Sequence, residues 1–453
     1  MESINQPKNK NYFFRDNSND YNNVMTIQYP SDTKDAENYH NQVFFYERSK
    51  TQDPGRKIKE DSFLPKEARP KKIVSLMDDN DYFNREKENI INDNDFSKLL
   101  LNSKVGFKNN GYLCYINSII QVLIHTPIFT TRFKREIPKS FYGKMITESI
   151  YKLCKKIITT STQKSNSSKR TSSIPTSDLF KAFSSKHNDS QNEYKPNQEE
   201  DSQEFLRILL QDLSEESNNA KKSAYQELNF DKDSKCFAVE KYYKYCKRHE
   251  DSYILDIFNS QIINISTCKC KFDSFSFDKL IEFPLIFNKT NKSVHVDELI
   301  EYFFEDIVVD WEIKCISCRK KRQHKKTIKL THLPQILILS LQRFNPRKRS
   351  KINSDVSFNE ILDLTQYVDN DYSQVNKCKY KLYGLVYHKG TLDFGHYYAH
   401  ININDKWIEF NDQKITVLEE LSTKSKYVYL LFYQQIESKK NKLNDRFYKG
   451  SYL

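Results

Sequence analysis

The stretch that most constrains this chain runs GFKNNGYLCYINSIIQVLIHTP from Gly106. A polar loop punctuated by Gly106 and Gly111 gives way to an apolar segment, and Cys114 stands at the junction. Ile116, Ile119, Ile120, Leu123 and Ile124 recur at the offsets of one helix face, with Asn117, Ser118 and Gln121 on the others. This spacing predicts a helix with Cys114 in its first turn, where unpaired N–H groups and the positive end of the macrodipole favour a thiolate. Asn109 lies in the loop leading back to the sulfur, so its carboxamide is placed to donate to an oxyanion forming there. The two glycines let that loop fold tightly. A buried cysteine at a helix start is ordinarily only a small hydrophobe, so a nucleophile needs partners elsewhere in the chain.

The partners lie between Tyr383 and Tyr433, where the segments YGLVY, HYYAHINI, KWIEF, KITV and YVYLLFY read as short strands. Asn404-Asp405 fits a two-residue hairpin turn. If residue 403 pairs with 406, Asn411 faces Tyr398, and His396 becomes its diagonal neighbour on the same face, within about 7–8 Å at Cα. A carboxamide so placed orients the imidazole through one ring nitrogen and leaves the other for the thiol. His388 and His400 read as a gating or structural residue and a structural one.

Elsewhere, residues 145–158 and 178–184 read as helices, separated by a Ser/Thr-rich insertion over 159–177. The segment EEDSQEFLRILLQDL carries an apolar stripe of Phe205, Leu206, Leu209, Leu210 and Leu213, with Asp201 and Glu204 at its acidic start. YILDIFNSQIIN, residues 253–264, alternates like a strand. Cys268-Lys-Cys270 and Cys315-Ile-Ser-Cys318 form two short pairs, the pattern of a tetrahedral thiolate site for structural zinc. Cys246 and His249 are set aside as bystanders. LPQILILSLQRF, Leu333 to Phe344, is a buried strand.

The stretch around Cys114, with Asn109, Gly111, Tyr115, Asn117, Ser118 and Gln121, resembles the cysteine box of the ubiquitin-specific proteases, the papain-like cysteine deubiquitinases. GTLDFGHYYAH followed by KWIEFND resembles their histidine box, including Gly395, Tyr397, Trp407 and Phe410. The acidic helix start, the 253–264 segment, the strand ending at Phe344 and VSFNEILDL near Phe358 resemble further motifs of that family, in the family's order. Tyr112, Leu113 and Glu200 depart from it. The resemblance implies an α+β, papain-like cysteine protease fold with a thumb, a palm and zinc-bearing β fingers. It implies Cys114 as nucleophile, His396 as general base and acid, Asn411 orienting the histidine, Asn109 in the oxyanion hole and Asp412 supporting it. Asp201 and Glu204 would face the tail of ubiquitin, and Cys268, Cys270, Cys315 and Cys318 would hold zinc. The implied function is hydrolysis of the isopeptide or peptide bond after ubiquitin's terminal glycine, with ubiquitin and ubiquitinated proteins as partners. The alternative is a catalytically inactive ubiquitin-binding or ribonucleoprotein scaffold of the same fold.

Composition sets the outer limits. In 453 residues, a largely disordered polar extension is expected over 1–100, a catalytic domain over 101–436 with fingers at about 235–330, and a short basic tail over 437–453. The net charge of +12 is uneven: the first 100 residues hold 16 Lys and Arg against 18 Asp and Glu, the remainder 56 against 42. The clusters Arg319–Arg322 and Arg347–Lys351 could touch RNA, but no interleaved aromatics favour nucleic acid, which stays a minor alternative. No run approaches the roughly 20 apolar residues of a membrane span, and no signal-peptide core is visible. Nine cysteines fit reduced thiols and metal ligation, hence an intracellular protein of cytoplasm or nucleus with no membrane partner and a monomeric catalytic domain.

Overall fold

A computed structural model of the chain describes residues 93–436, apart from 110, 138–139, 165–172, 189–193, 196–197, 222–227, 289–291, 346–349, 373–376 and 392–393, together with two short strands near the N-terminus. The chain divides into two compact units, and the first comprises Met1–Gln28 and Gln42–Asn92. Its described residues are the antiparallel strands Phe13–Arg15 and Val24–Thr26. The rest of the expected extension up to residue 92 lies outside the described residues, as does the 437–453 tail. The second unit holds everything below. Its described residues open with the helix Asp93–Leu101, eight residues before the expected start of the catalytic domain, because Phe96 and Leu100 are buried and drawn into the core.

Two layers build the body. A mainly antiparallel sheet runs, in spatial order, Lys414–Val417, Lys406–Asn411, Gly395–Ile403, Lys379–Gly390, Val428–Gln435, Ile336–Leu341 and Phe283–Leu285, with Ile361–Asp363 also pairing on Lys379–Gly390. Ile336–Leu341 and Val428–Tyr433 are buried throughout, as their near-continuous apolar sequence requires of strands covered on both faces. Against the sheet lies the helix Cys114–Ile124, in contact with the strand Gly395–Ile403 and the helix Ser202–Glu216. All eleven of its residues are buried. Its polar residues therefore do not face water; Gln121 Nε2 donates to Val105 O and Ser118 Oγ to Tyr115 O.

The hairpin register follows the expected pairing. Ile403 pairs with Lys406 and Ala399 with Phe410, and Asn404 and Asp405 take φ of 52° and 60°, as a type I′ turn needs. The expected helices are longer than read, Met145–Lys164 and Ser177–His187. One reading is overturned: residues 253–264 are not one strand. Tyr253–Phe258 is a helix, capped by Ser252 accepting from Leu255 N, with Ile254, Ile257 and Phe258 buried at helical spacing, and the strand starts only at Ser260.

A second sheet forms an arm of four antiparallel strands in the order Asp273–Leu280, Ser260–Cys268, His324–His332 and Ile307–Val308. Its register sets Cys268 opposite His324. The hairpin Ile313–Lys314 with Lys321–Arg322 brings Cys315 and Cys318 to the same end.

Candidate active site

Cys114 opens its helix without a side-chain cap from Leu113. The capping acceptor comes from Asn109, whose Oδ1 receives Leu113 N–H at 3.0 Å. Its Nδ2 donates to Asp412 Oδ2 at 2.9 Å. Asn117 Nδ2 donates to the other oxygen of Asp412 at 2.8 Å, and Thr176 Oγ1 donates to Asn117 Oδ1 at 2.7 Å. Phe107 N–H donates to Asp412 O at 2.9 Å. Asp412 has φ of 52°, so a backbone turn and a carboxylate together join the cysteine loop to the end of the histidine hairpin. Gly106 makes this approach possible, because a Cβ there would lie 2.7 Å from Asp412 O.

On the other side of the site, His396 Nε2 lies 2.7 Å from Asn411 Oδ1. A carbonyl oxygen only accepts, so Nε2 carries the ring proton and Nδ1 keeps the lone pair. Asp412 Oδ2 is farther from Nε2, at 3.8 Å. The imidazole is 39% exposed, open to a substrate. The backbone N–H of Tyr397, next in the chain, works to lower the pKa of the Cys114 thiol. No hydrogen bond joins that thiol to His396.

The thiol itself departs from expectation. Burial pushes the Cys114 pKa up to about 12, with the charges of Asp412 and Glu199 adding to the rise against the Tyr397 N–H. The helix start does not outweigh this desolvation, so the resting sulfur is a neutral thiol rather than a thiolate. Glu199 was not singled out in the sequence. Its Oε2 receives Gly395 N–H at 2.6 Å, one residue before His396. The only signal for it was the acidic run Glu199-Glu200-Asp201, which does not say which member turns inward.

Asp201 is turned inward as well. It caps the helix Ser202–Glu216 by accepting from Gln203 N at 2.7 Å, and both its oxygens accept from Tyr429 O–H at 2.7–2.8 Å. Burial raises its carboxyl above the ordinary range against these bonds. A surface aimed at a substrate tail is not what this carboxylate presents. Glu204 sits in the first turn of the same helix, half-buried. His388 is buried and His400 bonds Glu409 at 3.2 Å. Cys246 and His249 lie on the helix Lys235–His249, apart from the thiol cluster.

The sulfurs of Cys268, Cys270, Cys315 and Cys318 all lie within 4.8 Å of one another, with the Cys268–Cys318 pair at 4.0 Å and Cys270–Cys315 at 3.6 Å. Tetrahedral thiolates at about 2.3 Å from zinc stand about 3.8 Å apart, so the cluster is compatible with that ion. Both turns close alike: Lys271 N donates to Cys268 O and Arg319 N to Cys315 O, and both residues take positive φ near 60°. The shorter Cys-x-Cys turn thus completes its bend one residue after its second sulfur. The backbone N–H of Cys318 pulls the Cys315 thiol down to about 7.

Residues 105–433 match the family described as Ubiquitin carboxyl-terminal hydrolase. The chain belongs to that family. Its curated relatives include ubiquitin carboxyl-terminal hydrolase Usp2 of Drosophila melanogaster, 28% identical over 73% of this chain, and hydrolase 4 of Eremothecium gossypii, 28% identical over 75%. The chain spans 34% and 43% of those two proteins. The solved SAGA Ubp8/Sgf11/Sus1/Sgf73 DUB module bound to ubiquitin aldehyde aligns with a TM-score of 0.55 at 20% identity, over 79% of this chain and 74% of that one. This likeness identifies the papain-like α+β fold of the family. Among the described residues, no helix is long and apolar enough to cross a membrane.

Proposed function

We propose that this chain is a cysteine-type deubiquitinating hydrolase that cleaves the isopeptide or peptide bond after the terminal glycine of ubiquitin. The observation that carries the reading is the packing of the Cys114 helix on the strand Gly395–Ile403, in which His396 is held by Asn411 with the lone pair on its other ring nitrogen. His396 Nδ1 takes the thiol proton as Cys114 attacks the carbonyl carbon, and then gives that proton to the leaving amine. A thioester remains. Water attacks it, His396 takes the water proton, and the carboxylate leaves as the thiol reforms. Asn109 has two N–H donors and spends one on Asp412, so the second is fixed toward the oxyanion together with the Cys114 backbone N–H. Asp412 acts here through Asn109 rather than as an acid or base.

Ubiquitin and ubiquitinated proteins are the proposed partners, and 93–436 the proposed catalytic domain with fingers over about 235–330. Glu204, in the first turn of its helix, is the proposed contact for the arginines of ubiquitin's tail. A ubiquitin probe with a thiol-reactive C-terminus tests the function: it should label the protein once, at Cys114, and no labelling would reject the reading.

Zinc is the proposed occupant of the four-cysteine cluster. Four thiolates leave no open position for water, so the ion would close the end of the arm and take no part in the chemistry. Cys315→Ser is expected to release one zinc per chain and weaken ubiquitin binding, while the Cys114 thiol still reacts with small alkylating agents. Metal analysis of protein prepared without chelator checks this, and a stoichiometry near zero in the wild type would rule the metal out.

A further inference from the structure

Lys351 closes the basic stretch that begins at Arg347, yet it points inward. It ends the two-residue strand Ser350–Lys351, which pairs with Phe344–Asn345. Its Nζ contacts His388 Nδ1 at 2.9 Å, His388 O at 2.7 Å and Gly390 O at 3.2 Å. An ammonium has three N–H donors, and all three are used. His388 is buried and its ring stacks on Tyr397, with centroids 4.4 Å apart. The far edge of the same ring presses on Gly395, where a Cβ would stand 1.9 Å from His388 Nε2. Gly395 N–H is meanwhile held by Glu199. The paired strand ends Gly390 and Gly395, just before His396, are therefore gripped from both sides.

We propose that Lys351 is a positioning residue for the general base, latching the strand Ser350–Lys351 to the paired strand ends Gly390 and Gly395 that set the backbone of His396. The inference rests on the reading of His396 as the base. A lysine is a poor choice for mere packing at this place. Burial, and the charge of the neighbouring Arg343, push its amine down to about 8. Among the described residues, the groups around it include no compensating carboxylate: they are the His388 imidazole, the Phe344 ring at 5.8 Å from Nζ, and Arg343, whose donors go to the carbonyls of Val428, Ile352 and Ser354. Next to His388 stand Tyr397 and Tyr429, and Tyr429 bonds Asp201. Burial and Lys351 push His388 down to about 3, so it stays neutral and Nδ1 can only accept. The charged lysine and neutral histidine fit each other as donor and acceptor. A neutral lysine would bring two N–H groups to three acceptors and set its lone pair against that of His388.

The proposal gives a pH signature. The latch is whole below the Lys351 pKa and loosens as pH rises through about 8, so turnover should fall on the alkaline side. Lys351→Met, assayed on a fluorogenic ubiquitin C-terminal amide, is expected to lower kcat about tenfold with KM within about twofold, and to abolish that alkaline limb. Lys351→Arg keeps the charge at every accessible pH, so it should restore most of kcat and carry the limb beyond the measured range. Thermal melting separates a folding defect from misplacement. Should Lys351→Met melt early, the shifted limb in Lys351→Arg alone still supports the latch. An unchanged kcat and pH profile in Lys351→Met, or a rise in KM alone, would overturn it. His396→Ala, run alongside, must lose activity whatever Lys351 does; if it does not, the base assignment fails rather than the latch.

Discussion

Cys114→Ala should abolish hydrolysis of a ubiquitin C-terminal amide, and His396→Ala should lower kcat by several orders of magnitude, on the order of 10³ or more, because nucleophile and base act as one. The raised thiol pKa makes the second variant informative beyond loss of activity. With the sulfur titrating at about 12, roughly one thiol in 10⁵ is ionised at pH 7 without help. Wild-type turnover should show no dependence on free thiolate and should fall as Lys351 loses its proton, since the imidazole removes the thiol proton during attack. In His396→Ala only free thiolate can react, so the residual rate should climb about tenfold per pH unit from 7 to 10. A residual rate that is flat with pH would mean that the thiol is ionised at rest and the burial argument is wrong. Asn411→Ala should be milder than either, since it releases the ring without removing it.

How much of this could be read in the sequence depended on the range of the interaction. The hairpin was legible because one turn, Asn404-Asp405, sets every pair behind it, and a two-residue period then carries Asn411 to His396. The helix at Cys114 and the two cysteine pairs were legible for the same local reason. The segment at Tyr253 misled because Ile254, Ile257 and Phe258 satisfy a helix about as well as their neighbours satisfy a strand. Its cap at Ser252 and its burial against the helices Pro127–Arg135 and Ser202–Glu216 decided the matter. The thiol's charge state was not legible at all. A dipole can be inferred from one helix, whereas desolvation and the carboxylates of Asp412 and Glu199 arrive from residues 298 and 85 positions away. Asp201, Glu199 and Lys351 share that problem, since their partners Tyr429, Gly395 and His388 are set by tertiary packing.

The second large effect is expected at Asp412, and it should separate activity from thiol reactivity. Asp412→Asn is the suitable change, because asparagine tolerates the positive φ of 52° that alanine would strain against. The carboxylate receives Asn109 Nδ2 on one oxygen and Asn117 Nδ2 on the other, and a carboxamide can accept only one of them. Either Asn109 loses the partner that aims its second N–H at the oxyanion, or Asn117 turns and disturbs Thr176 and the helix start. Loss of an oxyanion donor lowers kcat by about 10²–10³, so a fall of about 10² with little change in KM is expected. Removing the charge also removes one of the groups holding the Cys114 pKa up. Iodoacetamide should therefore alkylate Cys114 faster in Asp412→Asn than in the wild type at pH 8, even as turnover of the ubiquitin amide slows. Parallel loss of alkylation and turnover would mean that Asp412 merely holds the site folded, whereas opposite movement requires a carboxylate that orients Asn109 and opposes ionisation of the sulfur.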